Sequence, residues 1–379
     1  TTANDLSYSK DTSTGELTLI ASNFEIRGQE DVVHNLIISG RRNNIYGGKL
    51  DDKVEESDSE NCYINYIYGG EGNDTIILRA TASVGYGEAG DDLLTAYSGS
   101  LNGGTGEDIF NIYAGYVVHH GGAGNDIFNI YGVSNKIYGD DGNDIFNIIQ
   151  GGSNTIDGGT GTNTVTGTVG TNTTINVIGA NSGSVSLTKG VEQVVNINGI
   201  DYTMSTESTT ATVIYSINDS GQITFSMSSN QAIIRGDLNK KHNVSIKAGI
   251  TFYGGNKGDI IDAHGATIYL GSGNNTLKAF GTTIYGSSGN DTVSITDSSF
   301  FYGGTGITNL TARSLNYIES VSGTMNLSLY GDNNTVYGTG GNNTLVSNTR
   351  PNNFISGFGD ADNAQALSLA KGETKNLTI

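Results

Sequence analysis

Short runs of alternating apolar and polar residues recur along this chain, and each run is broken by a cluster of glycines. In Ile109-Phe110-Asn111-Ile112-Tyr113, Phe110 and Ile112 fall on one side of an extended strand, and Ile109, Asn111 and Tyr113 on the other. The pattern returns at Phe128/Ile130 and at Phe146/Ile148. A second kind of run precedes the glycines, with tyrosine just before the turn at Tyr46, Tyr68, Tyr86, Tyr138, Tyr253, Tyr269, Tyr285 and Tyr302. The breaks return too often for a helix. Two short strands and two turns per repeat predict an all-β fold, a parallel β-roll or β-solenoid with coils of 16–18 residues. Stacked coils bury a face that no single coil could bury. Phe110, Phe128 and Phe146 are then an interior ladder, and the tyrosines form rows flanking the turns.

The breaks share one pattern. Tyr68-Gly69-Gly70-Glu71-Gly72-Asn73-Asp74 recurs as Asn102-Gly103-Gly104-Thr105-Gly106-Glu107-Asp108, as His120-Gly121-Gly122-Ala123-Gly124-Asn125-Asp126 and as Tyr138-Gly139-Asp140-Asp141-Gly142-Asn143-Asp144. A worn copy ends at Asp92. The spacings from Asp74 through Asp92, Asp108 and Asp126 to Asp144 are 18, 16, 18 and 18 residues. Asp52 lies upstream, with Leu50 where glycine is expected, and Asn163 takes the slot after Asp144. A second, asparagine-rich array runs through Asp259, Asn275, Asp291 and Thr308, and is extended by Asn343 and Asp362.

Glycine turns the backbone sharply and aims carbonyl oxygens inward, and each aspartate adds a charged oxygen. Calcium takes six to eight such oxygens. A turn and its neighbour in the next coil together supply that shell, and a ladder of buried carboxylates is costly without cations. The expected ligands are the turn aspartates Asp52, Asp74, Asp92, Asp108, Asp126, Asp144, Asp259, Asp291 and Asp362. The backbone carbonyls of Gly70, Gly72, Gly104, Gly106, Gly122, Gly124 and Gly142 complete the set.

At these residues the chain resembles the RTX family, the hemolysin-type calcium-binding nonapeptide repeats. The resemblance is closest over 69–163 and extends to 254–293. It implies a β-roll, folding that depends on several calcium ions, and export by a type I secretion system, with the roll an accessory to an enzyme, toxin or adhesin. In the family's regular form both turns of each coil carry the motif. Here the opposite turns carry asparagine instead, at Asn135, Asn154, Asn172, Asn334 and Asn353. Asparagine caps turns, and stacked amides bond coil to coil. Calcium is therefore expected along one edge and an uncharged structural amide line along the other, with weaker metal binding in the second array.

The alternation and the motif divide the chain. Residues 1–40 read as an N-terminal cap or irregular coils, 41–190 as the first calcium-binding roll and 191–250 as a non-repetitive β insertion. Residues 251–363 read as a second, asparagine-rich roll and 364–379 as a C-terminal cap or linker. Within the insertion, Ala211 to Ser216 and Gln222 to Met227 flank Asn218-Asp219-Ser220-Gly221 as a β-hairpin. The chain begins Thr1-Thr2 and shows no signal peptide, as a processed product or a part of a longer protein would.

Composition narrows the function classes. With 56 glycines but 1 proline in 379 residues, collagen is excluded. A formal net charge of −19, without a basic patch, argues against nucleic acid and suits bound cations. No run is long and apolar enough for a transmembrane helix. The single cysteine, Cys62, allows no internal disulfide and reads as a small buried apolar residue. No H-E-x-x-H, G-x-S-x-G or nucleotide-binding motif occurs, so no catalytic residue is assigned. His119-His120, the adjacent histidine pair, reads as turn-flanking surface or packing. Three readings follow. The first is a calcium-stabilised structural or adhesive module of a secreted or surface protein. The second is a self-assembling surface-layer or fibre subunit. The third is a polysaccharide lyase, epimerase or hydrolase on a solenoid scaffold. The expected partners are a surface glycan or a second copy of the chain.

Overall fold

The computed structural model describes residues 7–58, 62–150, 152–168, 174–348 and 352–356. Among them every regular element is a β-strand. The chain forms two compact units, one of residues 1–185 with 193–199, the other of residues 186–192 with 200–379. Asn172, Asp362 and the segment 364–379 lie outside the described residues.

In the first unit each coil gives one strand to each of two parallel sheets. The strands entering the glycine turns include Tyr66–Glu71, Val84–Ala89, Ser100–Thr105, Val118–Ala123 and Lys136–Asp141. Those leaving them include Thr75–Leu78, Leu93–Ala96, Ile109–Ile112, Ile127–Ile130 and Ile145–Ile148. Register is fixed by which face is buried, since a slip of one residue would turn every apolar side chain outward. Leu94 stands opposite Phe110, Phe110 opposite Phe128, and Phe128 opposite Phe146. Each coil thus repeats its neighbour at the sequence spacing.

The core is a thin layer between the two sheets. Ile76, Leu94, Phe110, Phe128 and Phe146 of the leaving strands are wholly buried, as are Ile45, Ile67 and Ile156 of the entering strands. The three phenyl rings stack with centroids 4.4 and 4.8 Å apart. Burial of each ring contributes roughly 1.5–3 kcal/mol. His119 lies in the entering strands' interior row, level with Ile137, and receives the Leu101 N–H at Nδ1. It is therefore packing, whereas His120 points outward and stacks on Tyr138. Burial pushes the His119 pKa down to about 3, with a smaller push from His120. Cys62 is buried and free, and burial raises its pKa to about 11. Outside, Tyr46, Tyr68 and Tyr86 form one stacked row and Tyr97, Tyr113 and Tyr131 another.

The antiparallel hairpin of Ser7–Lys10 with Leu17–Ile20 precedes the coils of this unit. In the second unit the expected hairpin is Thr210–Ile217 with Ile223–Ser229. Parallel coils then start at Ala232–Gly236, inside the segment read as an insertion, and continue to Phe354–Ser356. The rings of Tyr253, Tyr269, Tyr285 and Tyr302 stack along this unit.

Candidate cation-binding line

Two features of these turns favour glycine, although Glu88 and Asp140 hold the second place of the pair with φ of 79° and 69°. A Cβ on Gly69, the first of its pair, would overlap Oδ2 of Asp74, and Gly87, Gly103, Gly121 and Gly139 stand in the same relation to the aspartates of their own turns. The later glycines, Gly70, Gly72, Gly104, Gly106, Gly122, Gly124 and Gly142, have φ between 110° and 148°. Side-chain-bearing residues rarely adopt that conformation. The turn thus closes tightly around a carboxylate at its base.

These carboxylates form one continuous line. Asp52, Asp74, Asp92, Asp108, Asp126 and Asp144 are at most 2% exposed. Each gives its backbone N–H to the side chain of the next slot residue, at 2.6–2.9 Å; the acceptors are Oδ1 of Asp74, Asp92, Asp108, Asp126, Asp144 and finally Asn163. The other oxygen, Oδ2, is buried in all six aspartates and receives no hydrogen bond.

Asn163 shows what that position demands. Its Oδ1 accepts the Asp144 N–H like every aspartate before it. Its Nδ2 donates to the carbonyls of Gly158 and Thr160 in its own turn, at 2.8 and 3.1 Å. Oδ2 of Asp144 lies against Gly139 as this amide nitrogen lies against Gly158. A carboxylate oxygen placed there brings no proton to the turn's carbonyls. The opposite edge makes the same point. Asn135 accepts the Val117 N–H and donates to the Ala114 carbonyl, while Asn154 accepts the Asn135 N–H and donates to the Gly132 carbonyl. The amide line satisfies itself, whereas the carboxylate line leaves one oxygen over in every coil.

Burial alone does not produce such an orphan. Glu56 is wholly buried, yet it accepts from Asn65 Nδ2 and Ser83 Oγ on one oxygen and from the Arg79 and Ala80 N–H groups on the other. An unsatisfied buried polar group costs about 1–3 kcal/mol, and more when charged. Six in one line would rival the whole stability of a domain, about 5–15 kcal/mol. The titration follows. Burial raises the pKa of Asp74, Asp92 and Asp126 to about 7 and that of Asp108 to about 6. The backbone N–H donors oppose the shift, and neighbouring carboxylates add to it. Asp144 is raised for the same leading reason.

In the second unit Asp259 and Asp291 occupy the same kind of slot with different partners. Asp259 accepts from the backbone N–H of His242 and its Nδ1 on one oxygen, and from the Gly255 N–H on the other. Burial pushes its pKa up, but these donors outweigh burial and hold it below the usual value. Asp291 accepts from Asn275 on Oδ1 and from Ser287 Oγ on Oδ2, at 2.9 Å each. Neither aspartate leaves an orphaned oxygen. Asn334 and Asn353, on the opposite edge of this unit, are linked by the 2.9 Å bond from the Asn334 N–H to Asn353 Oδ1.

Among the described residues no three His, Cys, Asp or Glu side chains gather around one point. Any ion on the carboxylate line would take most of its ligands from backbone carbonyls, which suits a hard cation such as calcium and not zinc. No family model matches the chain, and no curated protein or solved structure matches it. The functional reading therefore rests on these residues.

Motif counting missed two kinds of site residue. His34 and His242 stand one coil before Asp52 and Asp259, at spacings of 18 and 17 residues, and give both backbone and ring N–H groups to them. The spacing was legible, but the residue type was not. The residue before each slot also forms a ladder, in the opposite sense. Asp51 accepts the Asn73 N–H, Asn73 that of Asp91, and Asp91 that of Glu107.

Proposed function

We propose that the first unit is a calcium-stabilised structural or adhesive module of a secreted or cell-surface protein. The observation that carries this reading is the row of six buried, unpartnered Oδ2 atoms, each set against the first glycine of its own turn. Those oxygens, on Asp52, Asp74, Asp92, Asp108, Asp126 and Asp144, would hold the ions with carbonyls of the turn glycines. Calcium supplies the positive charge that the line lacks. Ions that bind the folded turns and not the unfolded chain stabilise the fold by mass action. Where calcium is scarce, carboxylate repulsion favours the unfolded chain, and where calcium is abundant the coils form. This linkage fits a protein exported unfolded and folded outside the cell. Its measure is the thermal midpoint at pH 8 in EGTA and in millimolar calcium. A large calcium-dependent rise supports the reading, and equal midpoints contradict it.

A second reading, self-association into a layer or fibre, draws support from the outer face of the leaving sheet. Leu93, Ile109 and Ile145 form one row there and Tyr97, Tyr113 and Ile149 another, all 40–48% exposed. A flat apolar stripe of this kind favours contact with a partner surface. Sedimentation at increasing concentration tests it, and a monomer throughout would count against assembly.

A further inference from the structure

The start of the second unit repeats the start of the first. Tyr8-Ser9, Asp11, Ser13 and Gly15-Glu16-Leu17-Thr18-Leu19 correspond to Tyr215-Ser216, Asn218, Ser220 and Gly221-Gln222-Ile223-Thr224-Phe225. Arg27-Gly28, five residues and then His34-Asn35 correspond to Arg235-Gly236, five residues and then His242-Asn243. Tyr46-Gly47-Gly48 and Asp52 correspond to Tyr253-Gly254-Gly255 and Asp259. Tyr8 to Asp52 and Tyr215 to Asp259 both span 44 residues.

Geometry agrees at the steps the two copies share, while the second adds the strand Ile200–Ser205, antiparallel to Ala232–Gly236. The hairpins pair Tyr8 with Leu19 and Tyr215 with Phe225, both antiparallel. Their second strands then pair in parallel, Leu19 with Ile38 and Phe225 with Ile246. Arg27 stands level with Tyr46 and Arg235 with Tyr253, and each guanidinium lies over the ring, at 4.1 and 5.3 Å from its centroid. His34 and His242 each donate to the first aspartate of the line. A Cβ on Gly28 or Gly236 would overlap the matching imidazole, so the histidine's seat requires the glycine that follows each arginine.

Below this shared cap the slot residues diverge. The first copy continues with aspartate through Asp144 and leaves every Oδ2 unpartnered. In the second copy the Gly255 N–H and Ser287 Oγ reach Oδ2 of Asp259 and Asp291. Asn275 takes an aspartate position and donates to the carbonyls of Gly271 and Gly273, as Asn163 does in its own turn. Thr308, Met325 and Asn343 follow in register, with no further acid among the described slot residues.

We infer that the chain holds two copies of one capped solenoid unit, and that only the first copy requires cations while the second supplies the missing donors from its own side chains and backbone. The inference rests on the calcium reading of the first unit. It restricts the metal ligands to the line from Asp52 to Asp144 and makes Asp259 and Asp291 metal-independent.

Hydrogen exchange on the full chain at pH 8, in calcium and then in EGTA, separates the possibilities. Chelation is expected to raise exchange about tenfold or more in peptides from 66–148 and to leave those from 250–329 nearly unchanged. Equal loss of protection in both units would overturn the division while sparing the calcium reading. Unchanged protection in both would overturn the calcium reading itself. Asn275→Asp supplies a second arm, because it removes the amide that stands in for the ion. Protection of 250–329 in this variant is expected to fall in EGTA and to return with calcium, and a fall that calcium does not reverse would overturn the inference.

Discussion

At the scale of single residues, the difference between aspartate and asparagine decides the chemistry of the turn. Both hand an oxygen to the N–H of the preceding coil, and only asparagine has a proton for the carbonyls of its own turn. Asp126→Asn therefore tests the account at one position. The new amide would reach the carbonyls of Gly121 and Ala123 as Asn163 reaches Gly158 and Thr160. In EGTA at pH 8 the variant is expected to be more stable than the parent by about 1–3 kcal/mol, the cost of one unsatisfied buried group. In calcium the gain should vanish or reverse, because a ligand is lost. Paired thermal melts check both signs.

At the scale of strands and turns, most of the architecture was legible in the sequence because the repeat is short and its apolar positions are spaced in twos. The interior ladder of Phe110, Phe128 and Phe146 stands where the alternation put it, while tyrosines stack in rows such as Tyr46, Tyr68 and Tyr86, and Asn135 and Asn154 bond to each other from coil to coil. What stayed hidden depends on which coils come together. Glu56 belongs to no motif in the sequence, and only stacking brings Asn65, Arg79, Ala80 and Ser83 around it. His34 and His242 lack the motif's residue type and appear as slot residues only through register. The segment around 214–246 lacks the glycine-aspartate turn, so its likeness to residues 7–38 is carried by scattered matching residues whose alignment the hairpin pairing fixes. The phenyl ladder carries its own prediction. Phe128 is stacked on both faces, so Phe128→Ala should cost about 3–5 kcal/mol, read from denaturant midpoints in calcium. Phe128→Leu should cost clearly less.

At the scale of the whole molecule, the carboxylate line ties stability to pH as well as to cations. The folded pKa values of Asp74, Asp92 and Asp126, about 7, and of Asp108, about 6, lie above the value of about 3.9 for an unfolded aspartate. Between these limits the folded chain binds more protons than the unfolded one, so stability falls as pH rises. In EGTA the thermal midpoint should therefore drop as pH goes from 4 to above 7 and level off beyond. A protonated carboxyl can donate to the turn carbonyls as the Asn163 amide does, which is why acid substitutes for the missing cation. In saturating calcium the same drop should be much smaller. A midpoint that rises over this range in EGTA would mean that the aspartates are stabilised as free carboxylates.

The most direct test of the central claim is a calorimetric titration of calcium into the EGTA-treated chain at pH 8, with far-ultraviolet circular dichroism recorded alongside. The account predicts several bound ions per chain, a gain of β-structure on binding, and fewer ions bound by Asp126→Asn. Full β-structure in EGTA with no heat of binding would contradict it.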